Sequence, residues 1–141
     1  MKDQITKEQF YPHPISAVWN AITLADQLTA WFIKADFKAE VGYQYTFTSS
    51  GEDCTEITGE VKKATPYTLE YTWIVAETNV ETIVRWTLRE QGEGTELHLE
   101  HSGIAGYGGD TAVKMFESFN GGWENCVNLL LGYLKEQVHA G

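Results

Sequence analysis

Between residues 37 and 101, apolar and polar positions alternate with a period of two, which is typical of strands that bury one face. The clearest run places Val84, Trp86 and Leu88 on one side and Arg85 and Arg89 on the other. Turns that contain Gly, Pro or Asp separate such runs. The pattern predicts about five strands in an antiparallel meander, with one apolar, aromatic face and one face rich in charges and threonine.

Before this region the chain shows a weak strand pattern over residues 4–11 and then helical spacing. We expect Pro14 at the first position of a helix, where its missing N–H costs nothing. Asp26 is expected to cap a second short helix. The apolar positions of the two helices are Ile15, Val18, Trp19 and Ile22 in the first and Leu28, Trp31 and Phe32 in the second.

A long amphipathic helix is predicted for residues 111–137, after a glycine-rich loop. Its apolar stripe is centred on Trp123 and keeps its phase across Gly121-Gly122, which favours one helix rather than two. Each glycine costs about 1 kcal/mol relative to alanine. Two together predict a close backbone approach or a bend. The stripe comprises Ala112, Phe116, Phe119, Cys126, Val127, Leu130 and Leu134.

Composition narrows the functional classes. The chain has 141 residues, 43% of them hydrophobic, which predicts a single domain over residues 1–141 with a sizeable core. Ten basic and 20 acidic residues give a formal net charge of −10, which argues against nucleic acid and anionic membrane surfaces as partners. Aromatic residues are abundant, with 5 Trp, 7 Tyr and 6 Phe.

Sequence features also bear on the compartment. Residues 1–5 lack the apolar segment of a secretion signal. The longest apolar stretch, around residues 127–134, is far shorter than the ~20 residues of a membrane span. Cys54 and Cys126 leave a disulfide open but imply no disulfide framework. We therefore expect a cytoplasmic protein with reduced thiols.

The order of elements predicts where a site would lie. A sheet with one apolar face needs a cover, and only the last helix is long enough to cross it. Aromatic side chains between the two layers could prop open a cavity for an apolar ligand, or they could simply fill the core. The candidate ligand-binding residues are Trp31, Tyr45, Tyr71, Trp73, Trp86, His101, Phe116, Phe119 and Trp123.

His98 and His101 have a spacing that would suit zinc on a helix. On a strand, residues three apart point to opposite faces, so these two cannot share a metal, and no metal site is predicted. His101 shares the inward phase of Leu97 and Leu99. It could be a core histidine, a hydrogen-bond donor to a ligand, or a general acid or base, and we favour the first two roles over catalysis.

Several motifs, in this order, carry a resemblance that spans nearly the whole chain. They are Pro14-x-x-x-Val18-Trp19, Leu28-x-x-Trp31-Phe32, Val41-Gly42-x-x-Tyr45-x-Phe47, Leu69-x-Tyr71-Thr72-Trp73, Gly94-Thr95-x-Leu97-x-Leu99-x-His101-Ser102-Gly103 and Gly122-Trp123. The chain resembles the START-like superfamily (SRPBCC, Bet v-like helix-grip), and within it the bacterial homologues of the activator of the ninety-kilodalton heat-shock-protein ATPase. The resemblance implies an α+β helix-grip fold, β-α-α-β(6)-α, in which a curved antiparallel sheet of six or seven strands wraps around the C-terminal helix and encloses a hydrophobic cavity.

Members of that superfamily include lipid carriers, polyketide cyclases and aromatases, so the resemblance leaves the activity open. Our first hypothesis is a binding or transport protein for a small hydrophobic ligand, lipid-like or aromatic, with no catalytic residue and no cofactor. One alternative is a cyclase or aromatase that uses His101 and cavity tyrosines, which would require an inward acid and base. The other is a chaperone cofactor that acts as an interaction module. A homodimer is also left open.

Overall fold

The computed structural model describes residues 4–48, 56–65, 67–76, 78 and 80–140, and the side chains of these up to residue 136. Strand β1 (Ile5–Tyr11) is followed by helices α1 (Ile15–Thr23) and α2 (Ala25–Trp31). Six strands come next: β2 (Lys34–Asp36), β3 (Gln44–Thr48), β4 (Glu56–Thr65), β5 (Thr68–Val75), β6 (Thr82–Gln91) and β7 (Gly94–Ser102). A 3-10 turn (Ile104–Tyr107) leads into helix α3 (Gly109–Ala140).

The seven strands form one antiparallel sheet in the order β1-β7-β6-β5-β4-β3-β2. Successive strands from β2 to β7 are neighbours, as in a meander, and β1 closes the far edge against β7. This is the predicted α+β helix-grip architecture. The period-two pattern missed β2, because a three-residue strand is too short to show alternation.

The alternation along β6 separates the two faces as predicted. Val84, Trp86 and Leu88 are buried on the side that faces the helix. Arg85 points outward and forms an ion pair of 2.6 Å with Glu70 on β5. The inner face therefore supplies one wall of the core, and its aromatic rings meet α3.

Helix α3 runs unbroken through Gly121-Gly122, as the phase of its apolar stripe predicts, and begins at Gly109, two residues earlier than expected. The expectation of a close backbone approach at the two glycines is wrong, because a Cβ atom at either one would meet nothing within 4 Å. The fully buried positions of the stripe are Ala112, Trp123, Cys126, Val127, Leu130 and Leu134. Phe116 and Phe119 are only partly buried, so the helix packs more closely after Trp123 than before it.

A buried tyrosine fixes α3 near its centre. The hydroxyl of Tyr11, at the end of β1, donates a hydrogen bond of 2.9 Å to the carbonyl oxygen of Val127. Burial raises the pKa of Tyr11 well above its usual value, so the phenol stays protonated and remains a donor. This contact adds a directed bond to the apolar packing of the helix.

Two predicted helix starts are displaced by one or two positions. Pro14 is the N-cap of α1 and not its first helical residue. The N-cap of α2 is Leu24 and not Asp26, because α2 follows α1 without a loop and the Leu24 carbonyl already accepts the N–H of Leu28 at 2.9 Å. Asp26 lies in the first turn, where its negative charge is favourable to the helix dipole.

The structure also bears on the state of the cysteines and on whether a helix could cross a membrane. Cys126 is a buried free thiol, and Cys54 lies outside the described residues. Over the ranges that the structure describes, no helix combines the length and apolar character that crossing a membrane requires.

Candidate functional site

An open pocket of about 390 Å³ lies between the inner face of the sheet and the first half of α3. Its walls come from the two residues that follow α2, from the start of β4, from the second half of β5, and from two turns of α3. The lining is mostly apolar, and no described residue in it carries a charge. The lining residues are Phe32, Ile33, Ile57, Trp73, Ser118, Phe119, Gly122 and Trp123.

The pocket exists because α3 presents small residues at this level. Gly122 has no side chain, and a Cβ atom added there would have no neighbouring atom within 4 Å outside the helix's own backbone. Ser118, one turn earlier, is small and exposed. Between the bulky Trp123 and the 3-10 turn, the helix therefore does not fill the space above Trp73. One of the two helical glycines that the sequence marks as costly, Gly122, thus lies in the pocket wall.

Three of the nine sequence-predicted ligand-binding residues line this pocket: Trp73, Phe119 and Trp123. The other lining residues were not among the predicted ones: Phe32, Ile33, Ile57, Ser118 and Gly122. A glycine inside a helical pattern was the available signal for Gly122. Ile33 lies between α2 and β2 and Ile57 lies at the start of β4, and these two segments meet only in the folded chain, so the sequence around each gave no sign of a shared pocket.

The other predicted aromatic residues lie in the core outside this pocket, with their polar atoms bonded to protein. Trp31 donates to the carbonyl oxygen of Ala21 at 2.8 Å. The Tyr45 hydroxyl donates to the carbonyl oxygen of Thr72. The structure therefore places these polar groups among internal partners and not on the pocket wall.

Tyr71 and Trp86 form a second internal pair. The Trp86 indole donates to the Tyr71 hydroxyl at 2.9 Å, and both side chains are at most 2% exposed. Burial raises the pKa of Tyr71, so its phenol stays neutral. Phe116, half-buried, packs at the margin of the core without lining the pocket.

His101 lies behind the pocket wall, fully buried, and both of its ring nitrogens are bonded. The Trp123 indole N–H donates to Nδ1 at 2.9 Å, so Nδ1 must carry the lone pair. Nε2 then carries the hydrogen and donates to Oγ1 of Thr82 at 2.7 Å. The Thr82 hydroxyl in turn donates to the carbonyl oxygen of Trp73 at 3.1 Å. Four residues from three elements of the sheet and from α3 thus form one satisfied chain of hydrogen bonds.

The surroundings of His101 keep it neutral. Burial lowers its pKa to about 3. The rings of Trp73, Phe119 and Trp123 lie 5.6, 4.6 and 5.9 Å from the imidazole, centroid to centroid. His98 lies on the opposite face, as the strand period predicts, and bonds to Glu96 at 2.8 Å.

Trp73 differs from every other pocket-facing polar side chain. Its indole N–H is buried and has no hydrogen-bond partner among the residues that the structure describes. The same residue lines the pocket. An indole N–H can only donate, so this wall offers one unused donor and no charge.

A larger depression of about 460 Å³ lies on the outer face of strands β3 to β5, away from α3. Its lining is polar and includes Glu60 and Lys62, which pair with each other at 3.2 Å. Larger volume alone does not make it the better candidate, because its polar lining offers a ligand little apolar surface. The pocket at α3 is also open, but its lining is mostly apolar, so it is the stronger site.

Comparison with known proteins agrees with the fold. The family model described as activator of Hsp90 ATPase homolog 1-like protein matches residues 12–135. The crystal structure of protein MLL2253 from Mesorhizobium loti is 26% identical, with a TM-score of 0.83 over 94% of this chain and 97% of that one. The solution structure of protein BH1534 from Bacillus halodurans is 28% identical, with a TM-score of 0.75 over 95% of this chain and 97% of that one.

More distant structures share the fold alone. PFC0360w from Plasmodium falciparum, described as an HSP90 activator, is 20% identical, with a TM-score of 0.71 over 93% of this chain and 97% of that one. No curated protein matches the sequence. Since the family model matches residues 12–135 of the 141, the chain belongs to the activator of Hsp90 ATPase homolog 1-like family.

Proposed function

We propose that this protein binds a small hydrophobic ligand, aromatic or lipid-like, in the pocket between α3 and the sheet. The observation that carries the proposal is the uncharged, largely apolar lining of an open pocket of about 390 Å³ between α3 and the inner face of the sheet. Ligand sites in proteins are commonly concave, mostly apolar and supplied with a few polar groups.

Burial of apolar area would drive binding. Each Å² of apolar surface removed from water contributes about 25 cal/mol before the costs of ordering the ligand are subtracted. Phe32, Ile33 and Phe119 line the pocket, are partly exposed and therefore offer apolar surface to a ligand. Trp73 and Trp123 add less, because they are 5% and 3% exposed. Apart from Phe32 and Ile33, the walls belong to the sheet and to α3, which the Tyr11 contact and the His101 chain already hold in place, so little of this gain is lost to ordering the protein.

A cyclase-like enzyme that uses His101 and cavity tyrosines has less support. Both nitrogens of His101 are bonded internally, and burial lowers its pKa to about 3, so at neutral pH it is a poor proton acceptor. The hydroxyls of Tyr45 and Tyr71 are engaged in the core. No described carboxylate bonds to His101.

A chaperone cofactor remains the alternative that the family description suggests. No apolar patch of the described surface stands out as its contact site, since the exposed large apolar side chains are scattered over different elements. We further propose a cytoplasmic location, which agrees with a free thiol at Cys126.

The proposal is tested by closing the pocket from the helix side. Gly122→Leu places a side chain in the pocket wall, whereas Gly121→Leu is the matched control, because Gly121 is exposed, lies outside the lining and also has open space at its Cβ. Both variants replace a helical glycine by the same residue, so helix propensity changes equally. The probe is the neutral dye N-phenyl-1-naphthylamine, followed by its fluorescence on titration with protein.

We expect saturable dye binding to the wild type and to Gly121→Leu, and at least about tenfold weaker binding to Gly122→Leu, since a filled pocket forfeits most of the apolar contact area. Circular dichroism would verify that both variants are folded. Absence of saturable binding to the wild type, or equal binding to the two variants, would refute a ligand site at this place.

A further inference from the structure

We propose that the ligand is a neutral molecule with an acceptor oxygen of the carbonyl class, which accepts a hydrogen bond from the indole N–H of Trp73. This inference rests on the proposed ligand-binding function and specifies the chemistry of the same pocket. It makes Trp73 a specificity-determining residue and not only a wall of the site.

The indole N–H of Trp73 is an unused hydrogen-bond donor among the described residues. Trp73 is 5% exposed, and its N–H is buried without an acceptor within the described part of the chain. Buried polar groups in folded proteins are almost always bonded, because an unpaired one loses its hydration and gains nothing in return. A ligand acceptor in the pocket that Trp73 lines would remove this deficit.

The buried polar groups next to Trp73 already have hydrogen-bond partners within the protein. The N–H of Trp123, the other indole in the lining, donates to Nδ1 of His101 at 2.9 Å. Nε2 of His101 is taken by Thr82. Ser118, whose hydroxyl is the other polar side-chain group of the lining, is exposed on α3. In the buried part of the wall, Trp73 is therefore the group that can select a ligand by hydrogen bonding.

The pocket has no charged group that could bind a charged ligand, as far as its described lining shows. The described lining contains no Lys, Arg or His that could pair with an anion, and the chain as a whole has a formal net charge of −10. A carboxylate moved into this pocket would lose its hydration without gaining a counter-charge. A neutral acceptor loses much less, and a single N–H is enough to satisfy it.

A ligand can reach the Trp73 N–H by displacing the ring of Phe119. Four aromatic rings surround Trp73, and three of them, Phe47, His101 and Trp123, are at most 3% exposed. Phe119 is the half-buried one, with its ring perpendicular to Trp73 at 6.3 Å between centroids. Because Phe119 lines the pocket and is the least confined of the four, a ligand displaces it at the lowest cost and so reaches the Trp73 edge.

The test compares three probes of similar shape: fluorene, its ketone 9-fluorenone, and fluorene-9-carboxylate. Affinities are measured by quenching of tryptophan fluorescence in the wild type and in Trp73→Phe, which keeps an aromatic ring but has no N–H. We expect the ratio of ketone to hydrocarbon affinity to fall about fivefold to tenfold in the variant, as loss of one hydrogen bond predicts. The carboxylate is expected to bind more weakly than the ketone.

A second readout does not need the variant to be stable. In ¹⁵N-resolved spectra of the wild type, the Trp73 indole proton should move downfield with fluorenone and not with fluorene. An unchanged affinity ratio together with an unmoved indole proton, while fluorene still binds, would overturn this inference and leave the proposed function standing. Tighter binding of the carboxylate would overturn the neutral-ligand assignment. Failure of all three probes to bind the wild type would instead refute the proposed function.

Discussion

The indole N–H of Trp123 donates a 2.9 Å hydrogen bond to Nδ1 of His101, and this bond joins the middle of helix α3 to strand β7. Since an indole can only donate, the bond also decides which nitrogen of the imidazole carries the proton. His101 is thereby a structural connector behind the pocket, neutral and without a free ring nitrogen.

Protein stability should depend on pH through His101. Burial lowers its folded pKa to about 3, while its ordinary value is 6.5. Between these values the unfolded chain binds a proton that the folded chain does not, so stability is complete above pH 6.5 and falls as the pH drops towards 3. At pH 5 we expect a loss of about 2 kcal/mol from this residue, measured by urea unfolding at pH 5 and pH 8.

The matched variant is His101→Gln, which keeps an acceptor and a donor but does not titrate. The remaining histidines and all carboxylates are common to both proteins, so the difference between the two pH profiles reports His101. Parallel profiles would show that His101 is charged in the folded protein.

The Thr82 hydroxyl should contribute to the free energy of unfolding, because it accepts a hydrogen bond from His101 and donates one to the carbonyl oxygen of Trp73. Thr82→Val preserves the shape and removes both bonds, for an expected loss of about 2 kcal/mol in the free energy of unfolding. Thr82→Ser retains the hydroxyl and loses one methyl group, for about 1 kcal/mol. If the valine variant is at least as stable as the serine variant in urea unfolding, the hydrogen-bonded chain is not what stabilises this region.

Replacing glycine by alanine should lower the free energy of unfolding at Gly59 and raise it at Gly121. At Gly59 on β4, a Cβ atom would lie 2.0 Å from the carbonyl oxygen of Thr72, so Gly59→Ala should destabilise the protein by about 3 kcal/mol. At Gly121 the space is open, and Gly121→Ala should stabilise it by about 1 kcal/mol through helix propensity. Thermal or urea unfolding of the two variants measures both effects. Destabilisation by Gly121→Ala would indicate that the helix needs a flexible centre.

The thiol of Cys126 should be unreactive in the folded protein. The side chain is 2% exposed, and burial raises its pKa well above that of a free cysteine, so little thiolate is present at pH 8. In a Cys54→Ser variant, where Cys126 is the sole thiol, we expect reaction with Ellman's reagent to be at least about a hundredfold slower than in 8 M urea, because only the unfolded chain exposes the thiol and lets it ionise. Fast labelling without denaturant would mean that α3 separates readily from the sheet.

Local periodicity was enough to predict most of the architecture. The alternation through Val84, Trp86 and Leu88 reports which face of β6 is buried, because successive side chains on a strand point to opposite sides. The same rule separates His98 from His101. The helical stripe around Trp123 likewise predicts which side of α3 meets the sheet. Helix starts were less certain, because α2 follows α1 directly and its cap depends on the preceding helix.

The pocket could not be predicted in the same way. Tyr45 and Trp73 share the inward phase and are both aromatic, yet Tyr45 is bonded in the core and Trp73 lines the pocket with an N–H that no described residue accepts. The partners of His101 lie 19 and 22 residues away in sequence. Periodicity follows from the backbone geometry of each element, whereas a cavity is the volume left between elements distant in the chain. Only their packing decides which inward side chains fill the core and which face open space.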